Sequence, residues 1–449
     1  MSEARESVVQ ADKNRIVNEV MHLISVEGHS AVSVESVARA LGEPVELIKQ
    51  HYPTTAALIR ASQPATLKVL DGVASERLQA LEQGAGSRDV LSAIAESYFS
   101  FARSNPKLFY CFMTEHAFLD EELEASIVMD FQLDASLTLN VIAENAAALV
   151  AEVKGDEPST DDVDFVILSL WAAVHGLSHL CTLGILRHLG KGMHRQLMDA
   201  LLAMYFAGVD KALREPNQMV CSDKMGSLVA AAQDNGLRLE DVVDSAVRRE
   251  IFLATREEVA DNGAENLTLA SVAERDGHDV AFVATLFDTP LTLLRQMEDE
   301  CDEESYSYLV EGVRPMGEDA NAIDGLIGMI GGYCAWAIDN PEAFDAIIFA
   351  ASQSIIPEGE SPTDPTAGMG KAYALEVQYF QRFFEEQGAT ADPWLTYRHV
   401  LIGWASVHGI AHMISRGYMH RVPLLAKVEL IANQANITIL GLLDTMTRK

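Results

Sequence analysis

The chain has 449 residues, too many for one ordinary domain and enough for two large ones or about three. Hydrophobic residues make up 49% and charged residues 22%, which excludes disorder as the main state. Lys and Arg total 33 against 66 Asp and Glu, a net charge of -33, so no general basic surface coats nucleic acid or anionic lipid, although a small local DNA-binding face is still allowed.

From the N-terminus, MSEARESVVQADKNR has no apolar core and is not read as a secretory signal, so a cytoplasmic location is expected. Val17, Val20, Met21 and Ile24 then recur at helical spacing. Ser33 can cap a helix with inner face Val34, Val37, Ala38 and Leu41; Gly42 supplies a turn, and Leu47, Ile48 and Tyr52 form the inner face of the next helix. Two short helices around a Gly-containing turn are the sequence form of helix-turn-helix, although any αα-corner needs the same pattern. A break at Gly84–Ser87 precedes an aromatic and Met cluster, Phe99, Phe101, Phe109, Tyr110, Phe112 and Met113. The acidic run Asp120–Glu124 is expected to be solvated helix surface.

After a break at Lys154–Thr160, the stretch Phe165–Leu186 contains no Asp, Glu, Lys or Arg. Ser169, His175, Gly176, Ser178, His179 and Thr182 within it make a buried soluble helix the better expectation than a membrane span. Trp171, His175 and His179 lie at i, i+4 and i+8, on one face. Paired His at this spacing can hold zinc or copper if a third ligand such as His116 or His194 joins them. The preferred reading is that the rings hydrogen-bond across a helix–helix interface while Trp171 packs and Gly176 permits close approach, so no metal is expected. Leu197, Leu201, Met204 and Tyr205 continue the helical spacing up to a break at Arg214–Asn217.

Beyond that break the chain repeats itself. In a single constant register, Gly28, Val37, Ala38, Gly42, Thr54 and Leu58 fall on Gly263, Val272, Ala273, Gly277, Thr289 and Leu293. Tyr98 falls on Tyr333, and Asn105-Pro106 on Asn340-Pro341, in the same register. After a small slip, WAAVHGLSHL from Trp171 meets WASVHGIAHM from Trp404, six identities in ten, so Trp404, His408, Gly409 and His412 repeat the first set. The acidic run Glu298–Glu304 is expected to be solvated, and Pro357–Gly370 is the longest expected loop. A second aromatic cluster holds Tyr373, Tyr379, Phe380, Phe383 and Phe384. The five cysteines (Cys111, Cys181, Cys221, Cys301, Cys334) are odd in number and form no C-x-x-C, which fits reduced thiols and excludes a disulfide framework. No alternating strand pattern, nucleophile elbow, phosphate loop or dinucleotide fingerprint stands out, so neither a sheet nor an enzyme is expected.

Arg15–Ala61 resembles the N-terminal domain of the tetracycline-repressor (TetR) family of bacterial regulators. The resemblance is carried by Glu27-Gly28, Ser33, Ala38, Gly42, His51-Tyr52-Pro53-Thr54 and Leu58. Ile251–Leu294 resembles the same domain more faintly, through Gly263, Thr268, Ala273, Gly277, Phe287, Thr289 and Leu293, and the two Trp-x-x-x-His-Gly segments resemble one ligand-domain subclass of that family. Family members are normally homodimers with one DNA reader and one ligand pocket per subunit, so the resemblance implies an all-α single-chain pseudo-dimer. The implied domains are a helix-turn-helix at 1–62, an α-helical ligand and dimerisation domain at 63–220, a second reader-like domain at 235–300 and a second ligand domain at 301–449.

The chain departs from the family where DNA is touched. Pro44, Val45, Glu46 and Lys49 occupy the first recognition helix, with Thr55 in place of a later Lys. The second has Asp279, Val280, Ala281 and Ala284, with Pro290 in place of that Lys. From Arg249 to Glu300 there are four Arg, no Lys and twelve acids, against four basic and five acidic residues from Arg15 to Ser62. The first reader is therefore expected to contact DNA through Ser33, Lys49, Gln50, His51 and Thr54, and the second to be degenerate. A small apolar effector is expected against Phe101, Phe109, Phe112, Met113, Phe344, Tyr379 and Phe383. Trp171, His175, Gly176, His179, Trp404, His408, Gly409 and His412 are expected at the pseudo-dimer interface. The expected function is a ligand-responsive regulator; the alternative is a ligand- or protein-binding scaffold that no longer reads DNA.

Overall fold

The computed structural model describes residues 2–113, 137–216, 224–317, 319–351, 370–389 and 392–447. Among these the protein is all-α, with twenty helices and no strand. His116, the Asp120–Glu124 run, Cys221 and all but the last residue of the Pro357–Gly370 stretch lie outside the described residues. The chain forms two compact units: 1–145 together with 416–421, and 146–415 together with 422–449.

In the first unit, α1 (Ser2–Val26) buries Ile16, Val20, Leu23 and Ile24. The short helices α2 (Val34–Leu41) and α3 (Val45–His51) follow, then α4 (Thr55–Gln79), α5 (Ser87–Ser104) and α6 (Pro106–Met113). Local chemistry accounts for the α2–α3 corner. Ser33 Oγ accepts from the Ser36 amide at 2.9 Å and the Ser36 hydroxyl accepts from the Ser33 amide at 2.8 Å, a closed capping box. Gly42 then takes φ 67°, the left-handed conformation that ends α2 and turns the chain into α3. Tyr418 belongs to this unit, where its hydroxyl donates to the Phe112 carbonyl at 2.6 Å. Helix α7 (Leu137–Lys154) contains the boundary between the units.

The second unit holds α8 (Thr160–Thr182), α9 (Lys191–Arg214), α10 (Met225–Asn235) and α11 (Leu239–Val242). It continues with α12 (Ala246–Asn262), α13 (Leu269–Asp276), α14 (Val280–Leu286), α15 (Pro290–Val313) and α16 (Ala322–Asp339), and ends with α17 (Pro341–Ala351), α18 (Lys371–Glu386), α19 (Pro393–Ser415) and α20 (Leu424–Thr447). Helix bounds recur as the sequence does. In the register that sets Gly28 on Gly263, α2, α3 and α5 coincide end to end with α13, α14 and α16. In the register that sets Trp171 on Trp404, α8 and α9 coincide with α19 and α20. Helix α8 is long and apolar enough to cross a membrane, yet 72% of its most apolar stretch is buried inside the protein, as in the core helix of a soluble fold.

The Glu298–Glu304 run is not the solvated face expected of it. Glu304 is fully buried and accepts from Arg256 Nη2 at 3.0 Å, with Arg256 itself 3% exposed. This ion pair ties α12 to α15. In the first half the two corresponding positions are Met21 and Val69. Removing one partner of a buried pair strands the other charge, whereas replacing both with apolar groups does not. Arg256→Met is therefore expected to cost about 3–5 kcal/mol in urea unfolding, and Arg256→Met with Glu304→Val to recover most of it. Equal losses in the single and double variants would show that the pair contributes nothing through charge.

Candidate functional site

The WAAVHGLSHL and WASVHGIAHM segments lie on α8 and α19, which pack against each other, and α9 packs against α20. Glycine makes both approaches possible. A Cβ built on Gly176 would lie 1.9 Å from the Ala405 carbonyl oxygen, and one on Gly409 would lie 1.7 Å from that of Ala172. On the second pair, a Cβ at Gly208 would lie 2.1 Å from the Ile437 carbonyl oxygen, and one at Gly441 2.1 Å from that of Met204. Each contact is matched by its counterpart in the other half, which is the reciprocal pattern of an isologous, two-fold interface.

Histidines flank the first crossing in the same reciprocal way. His175 Nε2 lies 3.0 Å from His412 Nδ1, and His179 Nδ1 lies 2.8 Å from His408 Nε2. All four rings are fully buried or nearly so. Burial pushes His175 and His408 well below the usual imidazole range, with neighbouring His adding to the effect, and pushes His179 down to about 3. These three rings are thus neutral at physiological pH. A chain of bonds continues from His408, whose Nδ1 is 2.9 Å from the Tyr333 hydroxyl, which in turn accepts from the Trp404 indole N–H at 3.0 Å. With the Tyr333 hydroxyl accepting from Trp404, it can donate to His408 Nδ1, which leaves His408 Nε2–H to donate to His179 Nδ1. His412 Nε2 is 3.8 Å from Asp345 Oδ1, and Phe344 stacks on His408 at 4.9 Å between ring centres. His194 Nε2 donates to the Leu186 carbonyl at 2.7 Å. Among the described residues no group of three or more His, Cys, Asp or Glu is placed to hold a metal ion. Trp171 is half-buried on α8.

Trp404 belongs to a second feature, a cavity of about 40 Å³ between α16, α18, α19 and α20. Its walls include Leu326, Tyr333, Phe380, Trp404 and Leu442, with Glu376 on α18. Burial pushes the Glu376 carboxyl up to about 8. Gly403 and Thr438 keep this space open, and both belong to the lining. Their counterparts in the first half are Leu170 and Tyr205, and Tyr205 is fully buried with its hydroxyl donating to the Val166 carbonyl at 2.6 Å. Such a small-for-large exchange between repeats is the sequence signal that would have found the cavity.

Of the second aromatic cluster singled out from the sequence, Phe380 lines this cavity, while the residues expected to hold an effector are not among its lining. Phe344 and Phe383 are fully buried, Phe383 packs edge-on against Phe384, and Tyr379 fills the space over Gly325, where a Cβ would be 1.9 Å from its ring. In the first unit Phe101 and Phe109 are fully buried, and Met113 Sδ accepts from the Tyr98 hydroxyl at 3.1 Å. Phe112 borders a narrow crevice with Ile24, Ile59 and Leu108.

The two helix-turn-helix corners differ in what they present. In the first, Lys49 and Gln50 are exposed on α3, and Lys49 Nζ lies 3.7 Å from Glu35 on α2. His51 is half-buried at the end of α3, and Thr54 caps α4 by accepting from the Ala57 amide at 3.1 Å. Ser33 and Thr54 thus serve as helix caps. In the second corner Asp279 caps α14, accepting from the Ala281 amide at 2.7 Å, and Val280, Phe282 and Leu286 are 45%, 40% and 36% exposed. Arg275 is held by Glu257, Glu258 and Asp261 of α12. No family model matches this chain, and no curated protein matches it.

The buried rings set a pH dependence. His175, His179 and His408 are neutral when folded, while in the unfolded chain each takes a proton near pH 6.5, so stability is full above that pH and falls as pH drops. Each ring contributes at most about 1.4 kcal/mol per pH unit. Glu376, protonated in the fold up to about 8, acts in the opposite sense and offsets about one ring. Urea midpoints should fall between pH 6.5 and 5.0, before ordinary carboxylates titrate. A midpoint that stays flat or rises over that range would mean the rings are charged or solvated in the fold.

Proposed function

We propose that this protein is a ligand-responsive transcription regulator of TetR type, built as a single-chain pseudo-dimer in the cytoplasm. The observation that carries the proposal is the reciprocal α8–α19 and α9–α20 seam, since a two-fold interface between chains becomes intramolecular when one chain carries both copies. The α2–Gly42–α3 corner supports a DNA reader at the N-terminus, with Lys49, Gln50 and His51 toward the duplex and Ser33 and Thr54 holding the helix ends. A small, largely apolar effector binds in the α-helical domains and shifts the equilibrium between arrangements that differ in DNA affinity. Neither catalysis nor membrane insertion enters this function.

The second reader contributes little. It has no Lys between Arg249 and Glu300, its recognition helix begins at an acid, and that helix exposes Val280, Phe282 and Leu286. The same exposed apolar residues favour the second reading, a scaffold that binds a protein through α14 and does not touch DNA.

Few phosphates are neutralised by one nearly neutral reader, so log Kd against log salt should have a slope on the order of two to four. Lys49→Glu should abolish binding to mixed genomic DNA at low salt. Ala284→Glu, at the matching exposed position of the second corner, should leave it unchanged. If the reverse holds, the readers are assigned the wrong way round. An unmodified chain that binds no DNA at low salt leaves the scaffold as the function.

A further inference from the structure

We propose that the cavity between α16, α18, α19 and α20 is a cation site, taking a protonated amine or quaternary ammonium head carried on an apolar body, and that only the second half of the chain has it. The proposal rests on the reading of these helices as the ligand domain and replaces its generic apolar effector with a charged one.

The polar groups lining the cavity are Tyr333, Glu376, Trp404 and Thr438. Three of them are already committed to the protein. The Trp404 indole donates to Tyr333, the Tyr333 hydroxyl meets His408, and the Thr438 hydroxyl donates to the Gln434 carbonyl at 2.8 Å while pairing with Ser406 at 2.8 Å. Glu376 differs from them. Among the described residues it has no hydrogen bond and no ion pair, although Lys371 and Arg382 on the same helix are paired with Glu303 and Glu386. The carboxyl is half-buried on the cavity wall without a protein donor, and partial desolvation there disfavours its ionised form. A cation beside it recovers that cost and keeps it ionised, and the rings of Tyr333, Phe380 and Trp404 in the same wall add attraction for a positive head. At about 40 Å³ the space holds roughly three water-sized groups, the bulk of a methylated ammonium head.

The charged surroundings do not compete for the site. Tyr333 on α16 and Tyr373 on α18 feel the Glu376 charge, and burial raises both phenols well above their ordinary value, so they remain neutral. On α19 the facing group is the uncharged Trp404, and on α20 it is Thr438. From α15, Asp302 and Glu303 are bound to the start of α18 through the Lys371 and Ala372 amides and the Lys371 ammonium. In the first half Leu170 and the buried Tyr205 stand where Gly403 and Thr438 line the cavity, and the two registers of the repeat set Val141 or Ala143, not an acid, on Glu376.

Binding of a cation must expel the Glu376 proton, whereas a neutral ligand of the same shape has no reason to. The full-length protein should be titrated with benzyltrimethylammonium and with its uncharged isostere neopentylbenzene, following heat and Trp fluorescence between pH 7 and pH 9. The cation should bind one-to-one and about tenfold more tightly at pH 9 than at pH 7, because the carboxyl titrates at about 8, and the isostere should show no such gain. Glu376→Gln should remove the cation's advantage and its pH dependence while leaving the melting temperature at pH 7 within a few degrees. Thr438→Tyr, which copies the first half, should abolish binding; if it fails to fold, Glu376→Gln decides alone. Equal or better binding of the isostere, binding that persists in Glu376→Gln, or no binding of the cation at millimolar concentration and pH 9 overturns the proposal. The measurement uses no DNA, so cation binding by a chain that binds no DNA leaves this site standing and removes only the regulator.

Discussion

Backbone contact between α8 and α19, and between α9 and α20, is the constraint on which the second unit is built. At each crossing a glycine faces a carbonyl at a distance no Cβ tolerates, and each glycine has its counterpart across the seam. Helices held this close cannot separate side chains by water, so the polar residues beside the crossing must satisfy one another. The paired imidazoles do this, with ring nitrogens 2.8 and 3.0 Å apart. Neutral histidine suits the place because one ring donates while its neighbour accepts. The seam also buries most of the uncharged stretch from Phe165, with 72% of its most apolar part inside the protein.

Helices α2, α3, α5, α8 and α9 keep the bounds of their counterparts in the second half, while the chemistry of the two halves diverges. The second half carries a buried Arg256–Glu304 pair where the first has Met21 and Val69. It has an open cavity where the first has Leu170 and Tyr205, and an acidic corner with exposed apolar residues where the first has Lys49 and Gln50. In a dimer of identical chains any substitution alters both sides of the axis. With both sides of the seam on one chain, a substitution alters one side only, and the two halves can differ in chemistry. The Trp404–Tyr333–His408–His179 chain of bonds joins the wall of the cavity to the seam.

Much of the fold was legible in the sequence. The all-α class follows from apolar spacing and from the absence of alternating runs. The two α–Gly–α corners follow from Ser33, Gly42, Thr268 and Gly277, because capping and left-handed turns are local chemistry that does not wait for tertiary contacts. The Trp-x-x-x-His-Gly repeat identified the helices whose histidines and glycines meet, since a buried uncharged stretch carrying both has to spend its polar groups on a neighbouring helix.

Other features depended on which side chains the fold brings together. The acidic run Glu298–Glu304 looks uniformly solvated along the chain, and only the approach of α12 reveals that Glu304 is buried against Arg256. Glu376 sits in an amphipathic helix like many exposed acids, and its isolation is decided by α16, α19 and α20, which surround it with rings and aliphatic groups. Phe380 lines the cavity, Phe383 packs into the core and the half-buried Tyr379 lies over Gly325, although all three belong to one cluster in the sequence. The sequence by itself determined the helical class, the Ser33-capped corner and the His–Gly segments that meet at α8 and α19, because periodicity and local bonding carry that information, while the α9–α20 crossing at Gly208 and Gly441 emerged only from the fold. Tertiary structure alone decided where space is left and which charge faces it, because a cavity is defined by atoms that several distant segments fail to supply.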